Sequence, residues 1–191
     1  IPRLQQLETA AELTHTFRAS PSSALRSSQN RRRRIEFIGD SITAGYCNTC
    51  NPFPNISNPN TYNVEDFSYC WARLTCGLLN ADCHTEAWSG RGVIRNCDAS
   101  APIWMPTIVR RTIGSLSEFD NIWGVSNLWN FSSFIPDALV INLGTNDYSC
   151  NSIPNMTQFT AEFEQAYVGM LTDLLIGTVT QPKVYSSFVG P

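Results

Sequence analysis

Three short turns carry the residues that could do chemistry: Gly39-Asp40-Ser41, Ser89-Gly90-Arg91-Gly92 and Gly144-Thr145-Asn146-Asp147. Ser41 supplies a hydroxyl, which becomes a competent nucleophile once a base takes its proton. At a strand-to-helix turn its own N–H faces the helix start, where an anion is stabilised. Gly90 lets a backbone N–H approach a substrate with no Cβ in the way. Asn146 adds a side-chain amide donor. Three donors around one oxygen make an oxyanion hole, each worth roughly a hundredfold or more in rate. The implied reaction is acyl transfer through a serine ester. Taken singly, Gly-Asp-Ser is ordinary turn chemistry, and Gly-Thr-Asn-Asp is a turn with an Asx cap. Neither the GxGxxG nor the GxxxxGKS phosphate-binding pattern is present. The weight comes from three such turns in order, each placed after a strand.

The elements that must position these turns are legible. RIEFIG (34–39), CHTEAWSG (83–90), DALVINLG (137–144) and KVYSSFV (183–189) read as strands, the third apolar throughout as for a strand covered on both faces. Between them, FSYCWARLTCGLL (67–79) reads as a helix with Phe67, Trp71, Leu74 and Leu78 on one face. TQFTAEFEQAYVGMLTDLLIG (157–177) places Phe159, Phe163, Ala166, Met170 and Leu174 on one stripe, with Gly177 as C-cap. NPFPNISNPNTYNVED (51–66) is a loop. Strands alternating with helices predict an α/β fold: a parallel sheet with helices on both faces. In such a sheet sites form beyond the carboxyl ends of the strands, so the three turns converge on one rim if their strands are neighbours.

Composition narrows the function classes. A chain of 191 residues suits one domain, 42% apolar content supplies a core, and a net charge of −3 gives no electrostatic case for nucleic acid. No run approaches the length of a membrane span. Seven cysteines are many for this length and predict disulfides and a secreted, extracellular protein, with one thiol left over. Cys47-Asn-Thr-Cys50 has the spacing of a zinc or redox half-site, but no second CxxC accompanies it, so a disulfide is expected and no metal. Sequons at Asn55, Asn130 and Asn155 fit a secreted glycoprotein, though their number is near chance in so Asn- and Ser-rich a chain. The Arg31–Arg34 run reads as a solvated lead-in to the first strand.

FIGDSITAGY, AWSGRGVIRN and VINLGTNDYS resemble the first three sequence blocks of the SGNH (GDSL) hydrolases. RRIEFIGDSITAGY, SYCWARL, WMPTIVRRT and LWNFSSFIPDALVINLGTND resemble more closely the catalytic domain of carbohydrate esterase family two, the acetyl xylan esterases. The resemblance runs from about Arg33 to the end. It implies a three-layer α/β/α SGNH-hydrolase (flavodoxin-like) fold over residues 31–191, lacking its C-terminal part. RLQQLETAAELTHTFRAS, near the start, resembles the last strands of the small β-sandwich domain that precedes the hydrolase in this family, so residues 1–30 are expected to be a remnant of it or a disordered lead-in. The resemblance makes Ser41 the nucleophile. It makes the Ser41 and Gly90 amides and the Asn146 side chain the oxyanion hole, and Asp40 a brace for the turn. No cofactor is implied. The implied substrate is an O-acetyl group on a plant cell-wall polysaccharide such as xylan or glucomannan. Trp88, Trp104 and Tyr148 are candidates to line a sugar cleft, with core packing as the competing role for each. Oligomeric state is not legible.

One part is missing. The family takes its catalytic histidine from a loop after the last strand, and this sequence ends Ser-Ser-Phe-Val-Gly-Pro with no histidine after His84. His84 stands six residues before Gly90 on the same strand, roughly 20 Å from the rim at about 3.3 Å per residue. His15 lies in the atypical N-terminal segment. The chain is therefore expected to be a piece of a longer esterase, with little esterase activity as it stands. The alternatives are an inactive carbohydrate-binding relative and an SGNH lipase or esterase acting on other acyl groups.

Overall fold

The structure is a computed structural model that describes residues 31–50, 64–122, 124–150, 152–176 and 182–188. Four parallel strands form the central sheet: β1 (Arg34–Gly39), β2 (Asp82–Ala87), β5 (Ala138–Leu143) and β6 (Lys183–Phe188), in the order β2-β1-β5-β6. The three turn-bearing strands are thus immediate neighbours. Their register sets Gly39 level with Ala87 on one side and Asn142 on the other, so all three turns leave the same edge. Two two-residue strands, β3 (Asn121–Ile122) and β4 (Val125–Ser126), pair apart from this sheet.

Alternation along β1 divides the core between two faces. Ile35 and Phe37 point one way, joining Ala138, Tyr185 and the buried Ala72 and Cys76 of α2 (Trp71–Leu79). Ile38 points the other way, joining Leu139, Ile141 and Leu143 beneath α3 (Met105–Ile108) and α5 (Met156–Ile176). The result is three layers, α/β/α. The stripe predicted on α5 holds: Phe163, Met170 and Leu174 are buried, and Ala166 packs against them. Gly177 lies outside the described residues.

The face predicted for α2 does not hold. Phe67 belongs to a separate 3-10 turn (Phe67–Tyr69), and the helix begins only after Cys70, whose Sγ accepts the Arg73 N–H. The disulfide Cys76–Cys83 fastens the Cys76 side of α2 to β2, so Leu74 and Leu78 turn outward, Leu78 with 87% of its surface exposed. A covalent bond between helix and strand outranks the apolar pattern that the sequence presents.

All seven cysteines are accounted for: Cys47–Cys50, Cys76–Cys83 and Cys97–Cys150 are bonded, and Cys70 is free and buried. Cys47-Asn-Thr-Cys50 is a disulfide, as expected. Among the described residues, no group of His, Cys, Asp and Glu could hold a metal ion, and no helix is long and apolar enough to cross a membrane. Arg31 and Arg32 make exposed pairs with Asp137 and Asp82 at the foot of the sheet, as a solvated lead-in should.

His84 is fixed in mid-strand. Its Nδ1 lies 3.0 Å from Oε1 of the buried Glu36, its register partner, and its ring stacks on Trp129 at 4.7 Å. The hydrogen bond with Glu36 raises the His84 pKa. Glu86, next on the same face, is pushed up to about 7, first by burial and then by Glu36, with His84 opposing. Both groups hold their protons more tightly folded than unfolded. Their stabilisation is complete at low pH and is lost as pH rises through the folded values. Thermal stability should therefore fall between about pH 5 and pH 8, and Glu86→Gln should flatten that fall, adding roughly 1–3 kcal/mol at pH 8. Calorimetry of both proteins across this range checks it. A parallel decline in the two would rule out Glu86 as its source.

Candidate active site

β1 delivers the first turn. The buried Asp40 caps α1 (Ser41–Ala44) by accepting the Ile42 N–H on Oδ1 at 3.0 Å. Ser41 is the first residue of that helix and is half-buried. Neither its Oγ nor its N–H has a hydrogen-bond partner among the described residues. The Gly-Asp-Ser order therefore places a capping carboxylate below the turn and an uncommitted hydroxyl at the rim.

β2 delivers the second turn, which the Trp88 N–H ties to the first through the Gly39 carbonyl at 3.2 Å. Gly90 sits at φ +78°, and a Cβ there would meet nothing nearer than Cys97 Cβ at 4.0 Å. Glycine is required by the left-handed backbone, not by crowding within the fold. The space above Gly90 stays open, and its N–H has no partner among the described residues. Its carbonyl accepts the Cys97 N–H at 2.9 Å.

β5 delivers the third turn, which runs into α4 (Thr145–Ser149). The buried Asn146 donates through Nδ2 to the Arg91 carbonyl at 2.8 Å and to Asp40 Oδ2 at 3.3 Å. One side-chain amide thus bridges all three turns. This is the strongest geometric result at the site, because no sequence spacing requires residues 40, 91 and 146 to meet.

Asp147 is the residue that sequence reasoning missed. Fully buried, it accepts the N–H groups of Val93, Ile94 and Arg95 at 2.8 to 3.0 Å, and the Arg95 guanidinium donates to its carbonyl. A Cβ on Gly92 would stand 2.5 Å from Asp147 Oδ2. Asn96 completes the wrap, accepting the Gly92 N–H and donating to the Ala101 and Ile103 carbonyls. The Cys97–Cys150 disulfide closes it covalently. The second turn is therefore moulded on a carboxylate borne by the third. The available signal was Gly92, two residues after a glycine already required by its backbone.

Burial raises the pKa of both acids beneath the site. For Asp40 the Ile42 N–H opposes the rise, and the Asp147 charge adds to it. For Asp147 the three loop N–H groups oppose it.

The aromatic candidates separate. Tyr148 packs its ring edge-on against Phe159 and Phe163, inside the α5 layer. Trp88 packs on the core beneath the Arg91 guanidinium, 4.6 Å from its ring centre. Trp104 leaves 45% of its surface exposed, at the start of α3. Beside Gly90, the Ser89 hydroxyl donates to Glu65 Oε1, a residue that the sequence did not single out. A depression of about 730 Å³ between α2 and β2 is lined by Arg32, Phe67, Arg73 and Cys83 among others and includes neither Ser41 nor Asn146. It is not where the turns converge. His84 is not near them either, since its register partner Glu36 lies five residues before Ser41 on β1. His15 lies outside the described residues.

No family model matches the chain. Over 133 residues it is 37% identical to a cellulase/esterase, CelE, of Acetivibrio thermocellus, covering 69% of this chain and 15% of that protein. It is 31% identical over 133 residues to an acetylxylan esterase / glucomannan deacetylase of Cellvibrio japonicus, covering 70% of this chain and 34% of that one. Among solved structures it superposes on a family two carbohydrate esterase from Clostridium thermocellum in complex with cellohexaose, with a TM-score of 0.65 and 28% identity, over 82% of this chain and 43% of that one. A family two enzyme from Corynascus thermopiles, solved with a carbohydrate-binding domain, gives a TM-score of 0.62 at 30% identity, over 81% of this chain and 44% of that one. The chain thus spans less than half the length of the proteins it matches.

Proposed function

We propose that this protein is a family two carbohydrate esterase, like the solved structures it superposes on, and that it removes O-acetyl groups from plant cell-wall polysaccharide, as the names of its relatives suggest. The observation that carries this reading is the Asn146 bridge, which draws the Asp40-Ser41 and Gly90-Arg91 turns to one point.

The geometry supports the following sequence. Ser41 Oγ attacks the acetyl carbonyl carbon and loses its proton to a general base. The oxyanion forms beside three donors: the Ser41 N–H, the Gly90 N–H and Asn146 Nδ2. The two backbone groups are uncommitted among the described residues. The Asn146 amide has both hydrogens engaged, and the longer contact, 3.3 Å to Asp40, is the one an oxyanion draws away. Collapse breaks the bond from carbon to the sugar oxygen, which takes the proton back from the base and leaves as the sugar hydroxyl, with acetyl-Ser41 remaining. Water then attacks this ester, releases acetate and restores the serine. The base is not His84, the one histidine among the described residues, which serves Glu36 and Trp129 instead. Removing His84 should therefore lower stability without touching the chemistry at Ser41.

Xylan and glucomannan are proposed as substrates because a relative is named for both activities. The exposed Trp104 offers an apolar face of the kind on which sugar rings pack. The three disulfides fit an extracellular workplace. The test is release of acetate by the complete protein from acetylated xylan and acetylated glucomannan, set against hydrolysis of long-chain acyl esters. Preference for the acetylated polysaccharides supports the reading, and preference for long chains overturns it.

A further inference from the structure

Glu65 lies at the rim and has no part in the chemistry described above. Its neighbour Asp66 is tied to the segment that follows α1: the Asp66 N–H donates to the carbonyl of Gly45, the C-cap of α1, at 3.0 Å, and Asn48 Nδ2 donates to the Asp66 carbonyl at 3.0 Å. From there the Glu65 side chain crosses to the second turn and accepts the Ser89 hydroxyl on Oε1. Ser89 is one residue before Gly90, and it follows Trp88, whose N–H is bound to the end of β1. The carboxylate therefore links the segment after α1, the helix that Ser41 begins, to the turn that carries Gly90. Glu65 is half-buried, and its second oxygen takes no hydrogen bond from any described residue. Arg91, two residues after Ser89, is committed elsewhere: it lies over Trp88 and donates to the Ile103 carbonyl at 3.1 Å. Ser89 thus aims the carboxylate, and no described guanidinium or ammonium neutralises it.

The geometry points to Glu65 as the residue that binds the sugar next to the acetyl group, through a hydroxyl donated by the ring to Glu65 Oε2. This rests on the esterase reading of the Ser41 rim. The chemistry is general: an ionised carboxylate makes a charge-assisted hydrogen bond with a hydroxyl, about twice as strong as a neutral one. An acetyl ester offers little to hold beyond its carbonyl, so selection of a carbohydrate over another acetyl ester must come from such a contact with the ring.

The test is equilibrium binding to the complete chain, which needs no turnover. The probes are a partially O-acetylated manno-oligosaccharide and the same compound with its free hydroxyls O-methylated. The expected results are a roughly tenfold loss of affinity for Glu65→Gln with the first probe, and a similar loss for the wild-type protein when the hydroxyls are blocked. Glu65→Gln should show no further loss with the blocked probe, a coupling that a purely structural role would not produce. Equal affinity of wild type and Glu65→Gln for the first probe overturns the assignment alone, as does indifference of the wild type to methylation. If the wild type binds no acetylated oligosaccharide at all, the inference falls together with the carbohydrate reading on which it rests.

Discussion

Asn146→Ala in the complete protein should lower kcat on an acetyl ester by about 10² to 10³, with KM changed no more than about threefold. The reasoning is geometric. An acetyl carbonyl carries little charge in the ground state and close to a full charge in the tetrahedral intermediate. A donor aimed at that oxygen is felt mainly at the transition state. The Asn146 amide also touches both the Asp40 carboxylate and the Arg91 carbonyl, so its loss removes the donor together with the bridge. The fold should survive, because the Asp147 wrap and the Cys97–Cys150 bond hold the second turn independently. Steady-state kinetics on wild type and variant, with Tm as the control for folding, decide it. A loss expressed wholly in KM would place Asn146 in substrate binding and not in oxyanion stabilisation.

Asp147→Ala should act differently, on stability first. Its carboxylate answers three backbone N–H groups in a place where Val93 is 2% exposed and water has little access. Each buried donor left without a partner costs on the order of 1–3 kcal/mol, so the sum is about 4 kcal/mol after partial relaxation. For a domain of this size that corresponds to a fall in Tm of about 8–16 °C. Asp147→Asn should be intermediate, since an amide oxygen still accepts but its NH₂ faces the loop donors. Thermal unfolding followed by circular dichroism gives the comparison. A shift below about 2 °C for Asp147→Ala would mean that the loop is held by Asn96 and the disulfide alone.

Much of this was legible before the structure because the informative residues act locally. Asp40 braces the turn by capping the helix whose first residue is Ser41, and the alternation of RIEFIG sets which side chains face which layer. What escaped depended on contacts between distant segments. Nothing local says that Asp147 will gather the amides of residues 93–95 across more than fifty positions. Nothing local sets Glu65 against Ser89 either. The outward turn of Leu74 and Leu78 follows from the Cys76–Cys83 pairing, which a count of seven cysteines does not specify. For Gly90 the sequence offers the approach of a substrate to its N–H as the reason for glycine, and the left-handed backbone adds a second one that only the structure reveals.

A carbonyl group bound at the rim has its carbon facing the Ser41 hydroxyl and its oxygen facing donors from the three turns. Reaction of the complete protein with a fluorophosphonate, followed by peptide mapping, tests it most directly, since the adduct mimics the tetrahedral oxyanion. The account predicts a single adduct on Ser41, formed about a hundredfold more slowly in Asn146→Ala. Hydrolysis of acetyl esters that continues undiminished with Ser41 unmodified, or an adduct on another serine, would contradict it.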